Sequence, residues 1–254
     1  MKWESLVGLA LIGWFSVIAV AEVLLARGAA REKSGDGRLI TNFGLTLASL
    51  IMGNLLPAVG IVAALSNRRF GLDLAQGVPW IAILLLTLIF QSLTYYWVHR
   101  LMHAIPLTWR FHRVHHADSA LDVSSSLRNH PLEILLTVPA SVLVIVALGA
   151  PVSIVIAANS IFIAAAILQH GDIELPDRVE RVLAPLIITP RLHRLHHSTE
   201  ERFHESNFGN LITLWDWLFG TLRTDKGRFR VGLDGQPRRG DHLWDQICSP
   251  LYSK

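Results

Sequence analysis

A chain of 254 residues in which 51% are hydrophobic and 17% charged is too apolar for an ordinary soluble domain, where charged residues make up about 25%. A mean hydropathy of +0.40 points the same way, to a membrane protein. The net charge of +3 comes without a basic stripe interleaved with aromatics, which sets nucleic acid aside; the single cysteine, Cys248, excludes an internal disulfide and a cysteine-rich metal site, so a bound metal is held by nitrogen or oxygen.

Leu6 to Ala26 carries one charge, Glu22, over a length close to the ~20 residues that span a bilayer. Its apolar run is longer than the core of a cleaved leader and lacks a small-x-small cleavage site, so it is read as a retained first span. After the polar loop Arg27 to Arg38, the uncharged stretch Leu39 to Leu65 predicts a second span, kinked at Pro57. A second loop runs through Gly77. Pro79 to Val98 then predicts a third span, opening on a proline that a first helical turn accepts and ending in Tyr95-Tyr96-Trp97, an aromatic belt at the water interface.

Arg100 to His130 is too polar to cross a membrane. Pro131 to Leu168 is apolar again and broken at Gly149-Ala150-Pro151, which predicts a helical hairpin whose ends return to one side. Beyond it, Leu175 to Leu183 alternates apolar and charged residues as a helix lying on a membrane surface does. Thr189-Pro190 reads as N-cap and first position of another helix. Leu211, Leu214, Trp215, Leu218 and Phe219, closed by Gly220, predict one more. The expected organisation is N-terminal membrane helices over 1–78, a catalytic domain over 79–222 with spans near 79–98, 132–149 and 152–169, and a glycine-rich charged tail over 223–254.

With five spans and an external N-terminus, the loop 27–38 and everything polar after Val98 share one side, which then holds 20 of the 23 lysines and arginines. The short loops, on which the positive-inside rule rests, split four against two in the same sense. That side is therefore expected to be cytoplasmic, in a bacterial inner membrane.

Eight of the 12 histidines fall in three clusters on that side: His99-x3-His103, His112-x2-His115-His116 and His193-x2-His196-His197. Spacings of three and four residues put imidazoles on one helix face, within reach of a common centre, and neutral imidazole is the commonest ligand for iron, copper and zinc. A basic rim facing lipid phosphates explains one such cluster but not three on one side. Eight imidazoles exceed what one ion accepts, which implies two metals. Arg100 stands where a zinc peptidase of the H-E-x-x-H type needs its glutamate, and the spans lack the Glu-x-x-His pairs of carboxylate-rich diiron bundles. A histidine-rich dinuclear iron site remains.

These three clusters, separated by an apolar hairpin, resemble the fatty acid hydroxylase and sterol desaturase superfamily of membrane diiron enzymes. The segments Trp109 to His116, Arg128 to Glu133, Gln169-His170-Gly171, Asn207 to Asn210 and Leu214 to Thr221 are similar to its bacterial branch, and the likeness covers roughly residues 80 to 222. The resemblance implies an all-α, multi-pass membrane protein with a cytoplasmic helical cap carrying a dinuclear metal site. It implies His99, His103, His112, His115, His116, His193, His196 and His197 as ligands, with His170 as a ninth. The implied cofactors are two iron ions, with zinc as an alternative occupant of purified protein, and O2 is the co-substrate. The implied substrate is a membrane lipid, hydroxylated or desaturated. No dinucleotide fingerprint or haem attachment motif is present, so electrons are expected from a separate ferredoxin, rubredoxin or cytochrome. His130 is expected to serve structure at a helix start, and His204 and His242 to lie on the surface. Asp118, Asp172, Glu200 and Glu201 stand near enough to ligands to orient imidazoles, though solvated carboxylates are the plainer reading. The competing class is a histidine-rich metal-binding or metal-transport protein without redox chemistry, which would need ionisable residues along the spans; only Glu22 lies well inside one. The sequence carries no sign of oligomeric state.

Overall fold

The computed structural model describes residues 3–25, 37–55, 77–227, 229–233 and 242–252. Its helices are α1 (Trp3–Leu25), α2 (Gly37–Leu55), α3 (Trp80–Ala104), α4 (Pro106–His116), α5 (Ile134–Leu148), α6 (Val152–His170), α7 (Asp177–Leu183), α8 (Pro190–His196), α9 (Glu201–His204), α10 (Leu214–Leu218) and α11 (Leu243–Cys248), with 3-10 turns at Val123–Leu127, Pro131–Glu133 and Ser249–Leu251. The described residues form no β-strand beyond two isolated bridges, so the all-α expectation holds.

Four helical stretches are long and apolar enough to cross a membrane: Ser5–Leu25, Trp80–Ala104, Pro131–Leu148 and Val152–His170. These coincide with four of the five predicted spans. The second predicted span, 39–65, is described only as far as Leu55 and is not among the four; Pro57 and the loop 66–76 lie outside the described residues. The first turns of α2 bury Arg38, Thr41 and Asn42 against the loop after α4: Arg38 pairs with Asp118 at 3.0 Å and with Asp122, and Asn42 donates to Asp118 at 3.1 Å. Elsewhere on the helix Leu39, Ile40, Phe43, Leu47, Leu50 and Ile51 are exposed.

The helix of the third span continues past Val98 to Ala104, so His99 and His103 are carried by the last turns of α3. The hairpin is as predicted: Gly149, at φ 63°, caps α5 in the left-handed region where glycine is unstrained, and Pro151 precedes α6.

The bundle has two unlike ends. Where α3 begins and the hairpin turns, Ile83, Leu84, Ile145, Leu148, Ile154 and Ala158 form a closed apolar core. At the other end the same helices converge on histidines, and Glu22, the one charge in the first span, accepts from the backbone N–H groups of Val123 and Asp172, each at 2.7 Å. That carboxylate fastens α1 to the polar end. The tail, in which the sequence shows no pattern, supplies α11: Leu243 packs so close to Gly44 that an added Cβ would sit 2.5 Å from it.

Candidate metal centre

All nine histidines named from the sequence converge, and they do so as two groups. His99, His103, His112, His116 and His196 bring ring nitrogens within 4.8 Å of one another, as do His115, His170, His193 and His197. The partition cuts across the sequence clusters. Residues i and i+4 of a helix point the same way, while i+3 is offset on the other side of the stripe. His112 and His116 on α4 therefore join the first group and His115 the second; on α8, His193 and His197 join the second group and His196 the first. Each of these two clusters lends its i, i+4 pair to one group and its remaining imidazole to the other, which interlocks α4 and α8; His99 and His103 both join the first group. The helix α8 starts as predicted, with Thr189 Oγ accepting from Leu192 N at 3.3 Å and donating to Glu180 at 2.6 Å.

Burial disfavours the charged form of five of these imidazoles. Loss of solvent pushes His115, His116, His193, His196 and His197 well below the ordinary histidine value, and the neighbouring imidazoles add to the effect. The second nitrogen of several rings is fixed by a carbonyl, which can only accept: His99 Nδ1 donates to Phe208 O at 2.8 Å, His196 Nδ1 to Ser206 O at 2.7 Å, His115 Nδ1 to Arg128 O at 2.9 Å and His170 Nδ1 to Ala166 O at 2.7 Å. Each of these neutral rings then presents a bare lone pair at Nε2. Yet Nε2 of His99 lies 3.0 Å from Nε2 of His196, and Nε2 of His115 lies 3.1 Å from Nε2 of His170. Two lone pairs at that distance repel, so no hydrogen bond explains either contact. A cation between them does, because adjacent ligands at right angles and about 2.1 Å from one ion are about 3.0 Å apart. Further buried ring nitrogens have no hydrogen-bond partner, among them both of His103 and His116 and Nε2 of His112. The donor set fits a metal in each group, with nitrogen ligands of the kind that suit iron or zinc.

The groups that orient the rings are only partly those expected. His112 Nδ1 lies 3.2 Å from Glu133 Oε2, whose other oxygen accepts from His130 N at 3.0 Å; His103 Nδ1 faces Glu205 at 3.5 Å. Neither glutamate is singled out by distance along the chain, although Glu133 is the acid at the third position of the turn that His130 caps. Asp118 is buried among Arg38, Asn42 and Ser125, Asp172 pairs with Arg194 at 2.6 Å and Glu200 with Arg202 at 2.8 Å. These three hold helices and loops, and none has a recorded hydrogen bond to an imidazole; nothing is described of the Glu201 side chain.

His130 stays out of the centre, as expected: its Nδ1 accepts from Leu132 N at 3.2 Å, leaving Nε2 to donate to Ile247 O at 3.1 Å. His242 is exposed. His204 is a correction, because it is half-buried with its ring 5.6 Å from His116 and 5.9 Å from Trp109; the short helix α9 folds it back against the first group. The motifs after α8 acquire a purpose in the structure. Asp216 accepts from the N–H groups of Phe208 and Gly209, both at 2.8 Å, and from Thr221 Oγ at 2.7 Å. It thereby holds the loop whose Phe208 carbonyl fixes His99.

Beside the two groups lies a cavity of about 180 Å³, lined by His99 and His112 from one group and His115, His170 and His193 from the other. Its remaining walls include Tyr95, Val98 and Met102 of α3, Thr137 of α5 and Ala166 of α6.

Comparison with known proteins agrees with this architecture. A fatty acid hydroxylase family model matches residues 84–221. The chain is 26% identical over 258 residues to the ornithine lipid hydroxylase OlsE of Rhizobium tropici, covering 95% of this chain and 76% of that protein. It is 26% identical over 145 residues to human alkylglycerol monooxygenase, covering 55% of this chain and 30% of the other. Over 145 residues it is 32% identical to the very-long-chain aldehyde decarbonylase GL1-6 of Oryza sativa subsp. indica, covering 52% and 21%. The chain thus spans about three quarters of the bacterial relative and a third or less of these two eukaryotic ones. No solved structure matches it.

Proposed function

The chain belongs to the fatty acid hydroxylase family, and from that premise we propose that it is a membrane-bound oxidoreductase that uses O2 to hydroxylate or desaturate a C–H position of a lipid. The observation that carries the reading is the cavity bordered at once by both histidine groups and by membrane-spanning helices. At about 180 Å³ it falls below the ~300–1,000 Å³ of sites that enclose a whole ligand. It suits a segment of chain, with the remainder of the lipid left in the bilayer.

His99, His103, His112, His116 and His196 hold one iron and His115, His170, His193 and His197 the other. Two irons supply the oxidising power that removes hydrogen from an unactivated carbon, chemistry that no side chain provides. In hydroxylation one oxygen atom of O2 enters the C–H bond and the other leaves as water, with two electrons and two protons from a donor. The protein's part is to fix the imidazoles through the carbonyls of Phe208, Ser206 and Arg128 and the carboxylate of Glu133, with Val98, Met102 and Ala166 as the apolar part of a wall that also carries Ser126, Asn129 and Gln169. The electrons come from a separate ferredoxin, rubredoxin or cytochrome. The site faces the cytoplasm of a bacterial inner membrane, on the charge asymmetry of the loops.

The test is metal content per purified chain, then its loss in His116→Ala and His197→Ala, followed by lipid extracts of cells with and without the protein. Iron near two per chain and a lipid gaining one oxygen, or losing two hydrogens, support the proposal. Protein that takes up no iron on reconstitution refutes it.

A further inference from the structure

A second cleft, of about 960 Å³, lies away from the histidine groups between α7, the start of α8 and α10. Its apolar wall includes Leu186, Leu214 and Trp217, and Trp217 is 69% exposed. The depth of α10 places that wall. Trp215 Nε1 donates to Ser92 Oγ at 2.9 Å, midway along α3, and Phe219 stacks on Tyr96 at 5.3 Å. The helix α10 therefore lies beside α3 and not beyond its end, and its Leu214, Trp217 and Leu218 are exposed.

The cleft is lined by the cations Arg181, Arg191 and Lys226 and by the carboxylates Glu180 and Asp225; Arg191 and Lys226 share the exposed Asp177, at 3.1 and 3.4 Å, a pairing that an incoming anion can replace at little cost. Further in is Glu180, only 6% exposed. Its Oε1 accepts from the Thr189 hydroxyl at 2.6 Å, while Oε2 is buried without a partner. A buried carboxylate oxygen with no donor is costly, and here it belongs to a residue that lines a cleft whose α10 wall lies beside α3.

The geometry points to a lipid-binding site in this cleft, distinct from the metal-lined cavity, for a zwitterionic membrane lipid with a primary ammonium, of the phosphatidylethanolamine type. One acyl chain lies along Leu186, Leu214 and Trp217, the phosphate meets the rim cations, and the ammonium donates to Glu180. A phosphatidylglycerol headgroup offers the inner carboxylate only neutral hydroxyls, without the charge of an ammonium, and a quaternary ammonium has no N–H. The occupant is independent of any reaction at the histidines.

The full-length protein in detergent is titrated with phosphatidylethanolamine, phosphatidylglycerol and phosphatidylcholine of identical acyl chains, and bound lipid is counted by native mass spectrometry. Phosphatidylethanolamine is expected to bind about tenfold or more tighter than the other two, the scale of one charge-assisted hydrogen bond. Glu180→Gln, whose amide oxygen still accepts from Thr189, should abolish that preference while metal content per chain shows the fold intact. Trp217→Ala should weaken all three lipids alike. Equal or better binding of phosphatidylglycerol or phosphatidylcholine by the wild type, an unchanged preference in Glu180→Gln, or undiminished binding in Trp217→Ala overturns the assignment.

Discussion

Crossing of the histidine clusters can be tested by counting metals. If each cluster held its own ion, His115→Ala would damage one site, His197→Ala the other, and the double variant would lose both. In the structure these two residues belong to one group of four, with His170 and His193, while the group of five is complete without them. Loss of even an outer contact to a ligand costs about 10–100-fold in metal affinity, and loss of a ligand from a set of four costs more. Each single variant is therefore expected to fall from about two metals per chain to about one, and the double variant to stay at about one. His103→Ala and His116→Ala added to that double variant remove two of the five remaining ligands and should take the count towards zero. The assay is inductively coupled plasma mass spectrometry on protein purified in detergent, with circular dichroism to confirm helicity. A double variant without metal refutes the crossed assignment.

Glu133→Gln weakens the contact that orients His112 and is expected to lower metal affinity about 10–100-fold at the group of five alone, measured by competition with a chelator; a loss shared equally by both sites contradicts it. Gly209→Ala places a Cβ 2.7 Å from Asp216 Oδ2 and 2.8 Å from Ile212 O, so about 1–3 kcal/mol of stability should go, together with the hold on His99 through the neighbouring Phe208; thermal unfolding and metal content read both. Acid should destabilise the metal-free protein. The buried imidazoles of His115, His116, His193, His196 and His197 have folded values below the ordinary 6.5, so below that pH the unfolded chain binds more protons than the folded one. Stability is then fully present above about pH 6.5 and is lost as pH falls, by about 1.4 kcal/mol per pH unit for each imidazole involved. A melting temperature flat from pH 7.5 to 5 in chelator-treated protein argues against it. Thr189→Ala removes the cap of α8 and should cost about 1 kcal/mol, seen as an earlier denaturant midpoint.

Much of this protein is legible before any folding is considered, because its strongest signals are local. A run of some twenty apolar residues has few fates other than a membrane helix, and three- and four-residue histidine spacings need only the helix period to become ligand stripes. Four spans, the hairpin turn at Gly149, the Thr189 cap and eight of the nine converging histidines follow from such patterns, while His170 comes only from the family resemblance. What depends on distant parts of the chain does not. The polar residues at the start of α2 gain a role only when the loop they bind, some 80 residues on, is in place. Glu133, Glu205 and Asp216 are ordinary acids in sequence, and become ring-orienting or loop-holding groups only because α4, α5 and the segment after α8 meet. The division of the histidines into two groups is of the same kind. Spacing determines which imidazoles share a helix face, but only the packing of α4 against α8 across the end of α6 decides which faces meet in one group.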